Sequence, residues 1–261
     1  CGDCAVDFSG EVAEWQRKNA EGKAGYSRRS AVIEALDVRG GNAYLDVGCG
    51  GGHLVQELGT AAGTKGRVVG IDPSRQMVEN ARAICQNLSC VEVIEGSASE
   101  IPVGDGHFDG VAALQVYEYV EDVGSALAEA RRVLKLGCPI AIVSILWEHC
   151  RFYGAERGLN ERIIEAWRAH CFHQMLPLEL PPLLERNGFG ASSRSNLSYL
   201  DTALHEGTSG YYVSKLIAHF ATSQGVSEED AQLWLSQLED ADLEKRFGFV
   251  HFPVLTVATA I

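Results

Sequence analysis

No stretch of these 261 residues reaches the about 20 consecutive apolar residues that a helix needs to span a bilayer, so membrane insertion is not expected. The N-terminus also lacks the basic and apolar regions of a secretory signal. Basic residues are scarce, with 22 Lys and Arg against 35 Asp and Glu and a formal net charge of -13. That balance is poorly suited to nonspecific binding of nucleic acid or an anionic membrane. There is no tandem basic-aromatic platform for single strands either, so no nucleic-acid partner is expected. Internal repeats and low-complexity linkers are absent as well. The expectation is a cytoplasmic globular protein, monomeric or homodimeric, with a small-molecule partner.

Apolar residues are plentiful, at 46% of the chain, enough for a sizeable α/β core. Eight cysteines are present: Cys1, Cys4, Cys49, Cys85, Cys90, Cys138, Cys150 and Cys171. A chain this large and apolar does not need a disulfide scaffold, and free thiols are expected. Cys1 and Cys4 have CxxC spacing, but no second pair follows nearby, so no metal site is expected.

Residues 11–36 read as one or two helices broken near Gly22 and Gly25. The period then changes. Residues 42–47 (NAYLDV) form a short apolar run ending in glycines, which predicts a buried parallel strand. A helix starts at 53–58, and 67–71 (RVVGI) is a second strand. Helix 74–86 carries Met77, Val78, Ala81 and Ile84 on one side. Strands at 91–94 and 108–114, a helix at 126–136 and an apolar strand at 139–145 continue the alternation. This order predicts a mostly parallel sheet covered by helices, with the strand-ending loops facing one crevice. Beyond Leu146 the reading is helix 160–170, a proline-punctuated stretch around Pro177, Pro181 and Pro182, and a short helix at 183–187. A sixth strand at 193–199, helices at 208–221 and 227–246, and a β-rich segment at 249–260 complete it.

The sharpest local signal is Leu45-Asp46-Val47-Gly48-Cys49-Gly50-Gly51-Gly52. Glycine lets backbone turn tightly and come close to a ligand. The bland alternative is a plain strand-to-helix turn. Asp72 adds to the ligand reading, because an acid ending the second strand can accept hydrogen bonds from ribose hydroxyls. The dinucleotide fingerprint fails in detail: its third glycine falls on His53 in one register and on Val55 in the other.

LDVGCGGG followed by GIDPS resembles the first two motifs of class I methyltransferases that use S-adenosylmethionine. Glu95-Gly96-Ser97-Ala98, Ile101-Pro102-Val103 and Asp105-Gly106-His107-Phe108-Asp109 resemble the next segments. Residues 126–137 resemble the helix and turn after the fourth strand, with Cys138 where the family usually has a second glycine. Gln115-Val116-Tyr117-Glu118-Tyr119-Val120-Glu121-Asp122 is similar to the UbiE-like small-molecule group. The resemblance covers about residues 40–146. It implies a doubly wound, Rossmann-like α/β fold: seven strands, mostly parallel, helices on both faces and a final antiparallel strand. It also implies one domain over 1–261, with an N-terminal helical lid (1–39), a cofactor-binding core (40–146) and acceptor-side helices and C-terminal strands (147–261). S-adenosyl-L-methionine is the implied cofactor and S-adenosyl-L-homocysteine its product. Asp46, Gly48, Cys49 and Gly50 match positions that contact or shape the methionine portion. Asp72 matches the ribose acid, Pro73, Ser74 and Met77 flank the adenosine, and Ser97 and Ala98 match the adenine edge. Gln115 is placed near the sulfur or carboxylate. Arg29, or Arg28, is a candidate for the cofactor carboxylate, with an exposed helix surface as the alternative.

Methyl transfer asks the protein mainly to align nucleophile, methyl carbon and sulfur. The acceptor-side candidates follow the fourth and fifth strands: Tyr117, Tyr119, Trp147 and Tyr153, with His173 further on. His149 is the first candidate base because imidazole titrates near neutral pH, and Glu148 is the second. His170 and His173 form an i,i+3 pair that could line a helix face by the pocket or bind metal, with ordinary surface histidines as the favoured reading. The acceptor atom, oxygen, nitrogen or carbon, is left open. Two other readings are an arsenite- or thiol-linked methyltransferase, suggested by Cys150 and Cys171, and a catalytically silent cofactor-binding protein.

Overall fold

A computed structural model describes residues 10–261. In chain order the strands are β1 (Ala43–Val47), β2 (Arg67–Asp72), β3 (Val91–Glu95), β4 (Gly110–Leu114), β5 (Pro139–Ile145), β6 (Arg151–Tyr153), β7 (Ser193–Asn196), β8 (Tyr199–Asp201), β9 (Gly248–His251) and β10 (Pro253–Thr259). The helices are α1 (Gly10–Glu21), α2 (Lys23–Ala35), α3 (His53–Ala62), α4 (Arg75–Ile84), α5 (Val123–Val133), α6 (Arg157–Trp167), α7 (Leu176–Arg186), α8 (Ser209–Ser223) and α9 (Glu228–Leu243). None of these helices is long and apolar enough to cross a membrane. The residues gather into two compact units. One takes Arg28–Ile145, Met175–Asn196 and Val254–Ile261; the other takes Leu146–Gln174, Leu197–Pro253 and the residues before Arg28.

The first unit is built on a seven-stranded sheet in the order β3-β2-β1-β4-β5-β10-β7. β3, β2, β1, β4 and β5 pair in parallel. Leu146 N donates to the Phe252 carbonyl at one end of the β5–β10 pair, and Ala260 N donates to the Cys138 carbonyl at the other, so β10 runs antiparallel to β5. β7 is antiparallel to β10. The inner strands are mostly apolar because helices cover both faces, with Asp46 in β1 and Asp72 at the end of β2 standing out. On one face α5 and α7 bury Ala126, Leu127, Ala130, Val133, Leu176, Leu180 and Leu184 against Val47, Ile71, Ala113 and Ile142. On the other face α3 lays Leu54, Val55, Leu58 and Ala62 at helical spacing. The helix starts are set by short polar caps. Ser74 accepts from Met77 N ahead of α4 at 3.4 Å, and Asp122 accepts from Ser125 N ahead of α5 at 3.1 Å.

Two elements differ from the sequence expectation. The proline-rich stretch 177–182 lies inside α7 rather than between elements. Pro177 sits in the first turn, where a missing N–H costs nothing. Pro181 leaves the Pro177 carbonyl without its helical donor, and Arg194 Nη1 approaches that oxygen at 3.5 Å. Burial of Leu176, Leu180 and Leu184, four residues apart, holds the helix against its prolines. The expected strand 193–199 is two strands in different sheets: β7 is a fully exposed edge strand, and the chain then leaves it at Leu197.

The second unit has its own antiparallel sheet, in the order β6-β9-β8. Phe152 pairs with Phe249 and Tyr199 with His251. Phe152, Phe249 and His251 are buried, whereas Tyr153 and Leu200, on the opposite face of the pleat, are exposed. α6, α8 and α9 pack together, with the Trp234 ring fully buried and its Nε1 donating to Asn160 Oδ1 at 2.9 Å. α1 packs on α8, where Ser209 Oγ donates to Asn19 Oδ1 at 2.6 Å.

Candidate functional site

In the sheet unit, β1 runs straight into the loop 48–52, whose Gly48, Gly50 and Gly52 have φ of +65, +49 and +87°. The three glycines are required for different reasons. A Cβ on Gly48 would lie 2.5 Å from Val116 Cγ2, and one on Gly52 would lie 2.7 Å from the Ala81 Cα of α4. These two therefore let protein approach protein. Gly50 has nothing within 4 Å of its Cβ position, so its left-handed turn opens the backbone to whatever occupies the crevice.

Asp72 pins this loop. Its Oδ2 accepts from Gly50 N at 2.9 Å and its Oδ1 accepts from Ser74 N at 2.9 Å. Each oxygen keeps a further lone pair for a ligand hydroxyl. Burial lifts the Asp72 carboxyl above its ordinary value, against the pull of the Ser74 and Gly50 N–H groups. Asp46 lies on the same face of the sheet, opposite Gly70 of β2 and Ala112 of β4. It is 1% exposed, and its Oδ1 has no hydrogen-bond partner. Burial, and then the Asp72 carboxylate, pushes its carboxyl well above the usual carboxylate range. Burial likewise pushes up the Cys49 thiol, which contacts the Gly50 carbonyl at 3.9 Å. Ser74 caps α4, Met77 is buried in its first turn, and Pro73 is exposed at the crevice edge. Ser97 is exposed just past β3, with Ala98 half-buried beside it. Gln115 follows β4 in a left-handed turn with φ +57°, held by its own N–H on the Val143 carbonyl at 2.7 Å.

The structure thus brings Asp46, Gly48, Cys49, Gly50, Asp72, Ser74, Met77, Ser97 and Gln115 to the loop ends of adjacent parallel strands. This set fits the adenosyl cofactor that the sequence implies. A hinged glycine opens on free space, an acid has lone pairs at hydroxyl height, and a buried carboxyl oxygen is without a partner. Arg29 is 5% exposed, and its Nε donates to Glu57 Oε1 at 2.7 Å, so neither it nor the equally buried Arg28 lies on an exposed helix surface. Tyr117 is fully buried in the core against α5 and α7, its hydroxyl without a partner; Tyr119 is half-buried one step on.

Trp147, Glu148, His149, Tyr153 and His173 belong to the second unit. Trp147, Glu148 and His149 form one short 3-10 turn, in which Trp147 is buried and Glu148 and His149 are exposed. Tyr153 lies on the open face of β6, and His173 is half-buried. Trp147 sits in an aromatic cluster with Trp167, His170 and His251 at centroid distances of 5.8, 4.6 and 5.4 Å. His170 is therefore no surface residue. It is fully buried, it stacks on Trp167 at 3.8 Å, and its Nδ1 donates to the Trp167 carbonyl at 2.6 Å. Burial pushes its pKa down to about 3, so the ring is neutral. His251, whose Nδ1 shares a 2.7 Å hydrogen bond with the Tyr199 hydroxyl, escaped the sequence reading altogether. The usable signal was the alternation Phe249, His251 on the buried face of a strand. Cys1 and Cys4 lie outside the described residues. Among the described residues the cysteines are free, and no group of three His, Cys, Asp or Glu gathers that could hold a metal ion.

Residues 45–142 match the family described as "Methyltransferase domain". A 37.1 kDa protein of transposon TN4556 from Streptomyces fradiae is 42% identical over 125 residues, which is 48% of this chain and 36% of that one. A demethylmenaquinone methyltransferase of Staphylococcus aureus is 38% identical over 109 residues, 42% of this chain and 45% of that one. The chain thus spans less than half the length of these curated relatives. The solved structure of YcgJ from Bacillus subtilis superposes with a TM-score of 0.63 at 18% identity, over 90% of this chain and 98% of that one. Residues 45–142 therefore resemble the family described as "Methyltransferase domain", and the sheet that carries them shares the fold of the YcgJ structure.

Proposed function

We propose that the protein transfers a methyl group from S-adenosylmethionine to an oxygen, nitrogen or carbon atom of a small organic molecule. The observation that carries this reading is the Gly50 turn. It opens on free space while its N–H is held by the acid that ends β2, inside the segment that matches the methyltransferase domain. When bound, the cofactor supplies an electrophilic methyl group on a positively charged sulfur. Asp72 accepts hydrogen bonds from the ribose hydroxyls, and Ser97 and Ala98 border the adenine. Met77 and Pro73 flank the adenosine, and the backbone of Cys49 and Gly50 shapes the methionine end, with Gln115 beside it. From the sequence, His149, which is exposed, is the group proposed to take the acceptor's proton or to orient its nucleophilic atom. Glu148 beside it is the second group able to do so.

Two measurements test this. Calorimetric titration is expected to show binding of S-adenosylmethionine or S-adenosylhomocysteine and no comparable binding of NAD; the opposite preference rejects the cofactor. Incubation with methyl-labelled cofactor and a metabolite extract is expected to move label into a small molecule. Binding without any transfer would make the protein a silent cofactor binder. With the acceptor in hand, His149→Ala is expected to slow transfer by about 10²–10⁴-fold at unchanged cofactor affinity if the imidazole is the base. An unchanged rate removes it.

A further inference from the structure

Two carboxylates share the crevice floor on very different terms. Asp72 accepts two backbone N–H groups. Asp46 sits between the small cross-strand neighbours Gly70 and Ala112, at 1% exposure, with Oδ1 unbonded. The titratable groups whose charge bears on it or answers to it are Asp72 from β2, Cys49 from the loop and Cys85 from α4. All three are acids. β4 carries no titratable side chain. On α3 the titratable groups are His53 and Glu57, and Glu57 is engaged by Arg29. A carboxylate buried with Oδ1 unbonded and, among the described residues, with no cation bearing on it gives up its charge by taking a proton. The pair therefore divides into one acid in which two backbone N–H groups offset part of the burial and one in which nothing does.

We propose that Asp46 senses positive charge: it holds a proton in the free protein and releases it to solvent when cationic S-adenosylmethionine binds, so that cofactor binding is coupled to proton release. This rests on the cofactor assignment above. The carboxyl O–H bond breaks, its electron pair stays on the carboxylate, and the proton passes to the buffer. The sulfonium and ammonium groups of the ligand then supply the attraction that the protein does not. The demethylated product has lost the sulfonium charge and draws less of the proton out. Loading and unloading of the cofactor thereby become pH-dependent, with S-adenosylmethionine favoured more strongly as pH rises.

The test is calorimetry of S-adenosylmethionine and S-adenosylhomocysteine binding at pH 6 in buffers of different protonation enthalpy. At that pH a ligand amino group with a pKa of about 7.7–8.0 is already protonated and contributes no proton change. Proton release is expected with S-adenosylmethionine and less with the product, and none in Asp46→Asn. Equal release in Asp46→Asn, or none in the unaltered protein, overturns the proposal while leaving the cofactor assignment intact. Failure of either ligand to bind rejects both. A carbon-13 NMR titration of the free, unaltered protein is independent of ligand and of the variant's folding. The Asp46 carboxyl is expected to titrate above the carboxylate range, and a midpoint near the ordinary value of about 3.9 overturns the proposal.

Discussion

Single side chains at the crevice carry opposing tasks, and their substitution separates them. Asp46 has its carboxyl raised by burial and then by Asp72. Between the unfolded and folded pKa values the folded state holds the extra proton, so folded-state stability falls as pH rises through that window. The slope is about 1.4 kcal/mol per pH unit for one such group. Asp46→Asn is therefore expected to raise the melting temperature of the free protein at pH 7. The gain should vanish below about pH 4, where the unfolded carboxyl is protonated too. A variant that melts lower at pH 7, or whose advantage does not depend on pH, contradicts the neutral state of Asp46. Asp72 pins Gly50 and Ser74 and is also the proposed ribose acceptor. Asp72→Ala is expected to weaken cofactor binding by at least about tenfold, as loss of a charged acceptor costs about 1.5–3 kcal/mol. It should also speed amide exchange at Gly50 and Ser74 without ligand. Unchanged affinity in a folded variant would remove the ribose assignment, and unchanged exchange would remove the pinning.

At the scale of elements, the glycine loop shows how far sequence carries and where it stops. The strand-loop-helix order and the acid at the end of β2 were legible because each rests on local chemistry: buried apolar runs, residues free to turn, a carboxylate at a strand end. What separates Gly50 from Gly52 was not legible, because it depends on α4 coming within 2.7 Å of a position 29 residues earlier in the chain. Gly52→Ala is expected to destabilise the fold severely. Gly50→Ala should cost the fold only the left-handed strain of about 1–2 kcal/mol yet weaken cofactor binding by tenfold or more. Melting curves and titration of both variants check this, and the reverse ranking would mean that Gly50 does not face the ligand. α7 was misread for a similar reason. Pro181 and Pro182 speak locally against a helix, and only the buried ladder Leu176, Leu180, Leu184 and the distant Arg194 reverse them. His170 went the same way, since its burial is decided by Trp147 and Phe220 rather than by its sequence neighbours alone.

For the whole molecule, the divisions expected at 39/40 and 146/147 do not coincide with the two compact units. The sheet unit also takes in 28–39, 175–196 and 254–261. The proposed cofactor site lies within this unit, and mass action makes its occupancy measurable on the full chain. S-adenosylmethionine at 100 times its Kd adds about 2.7 kcal/mol of stability. For a protein of this size that corresponds to a rise in melting temperature of roughly 5–11 °C. NAD at the same concentration is expected to give no comparable rise; equal shifts would point to nonspecific stabilisation.

The interleaving of the units along the chain has a consequence for synthesis on the ribosome. Residues 43–145 supply the five parallel strands, but β10, which covers the free side of β5, emerges more than a hundred residues later. Until then Pro139–Ile145, a run of Ile, Ala and Val, presents an unpaired apolar edge to everything in the surrounding fluid. The nascent chain thus carries an aggregation-prone edge during the interval in which the loops of its proposed cofactor crevice are already made but its sheet is still open.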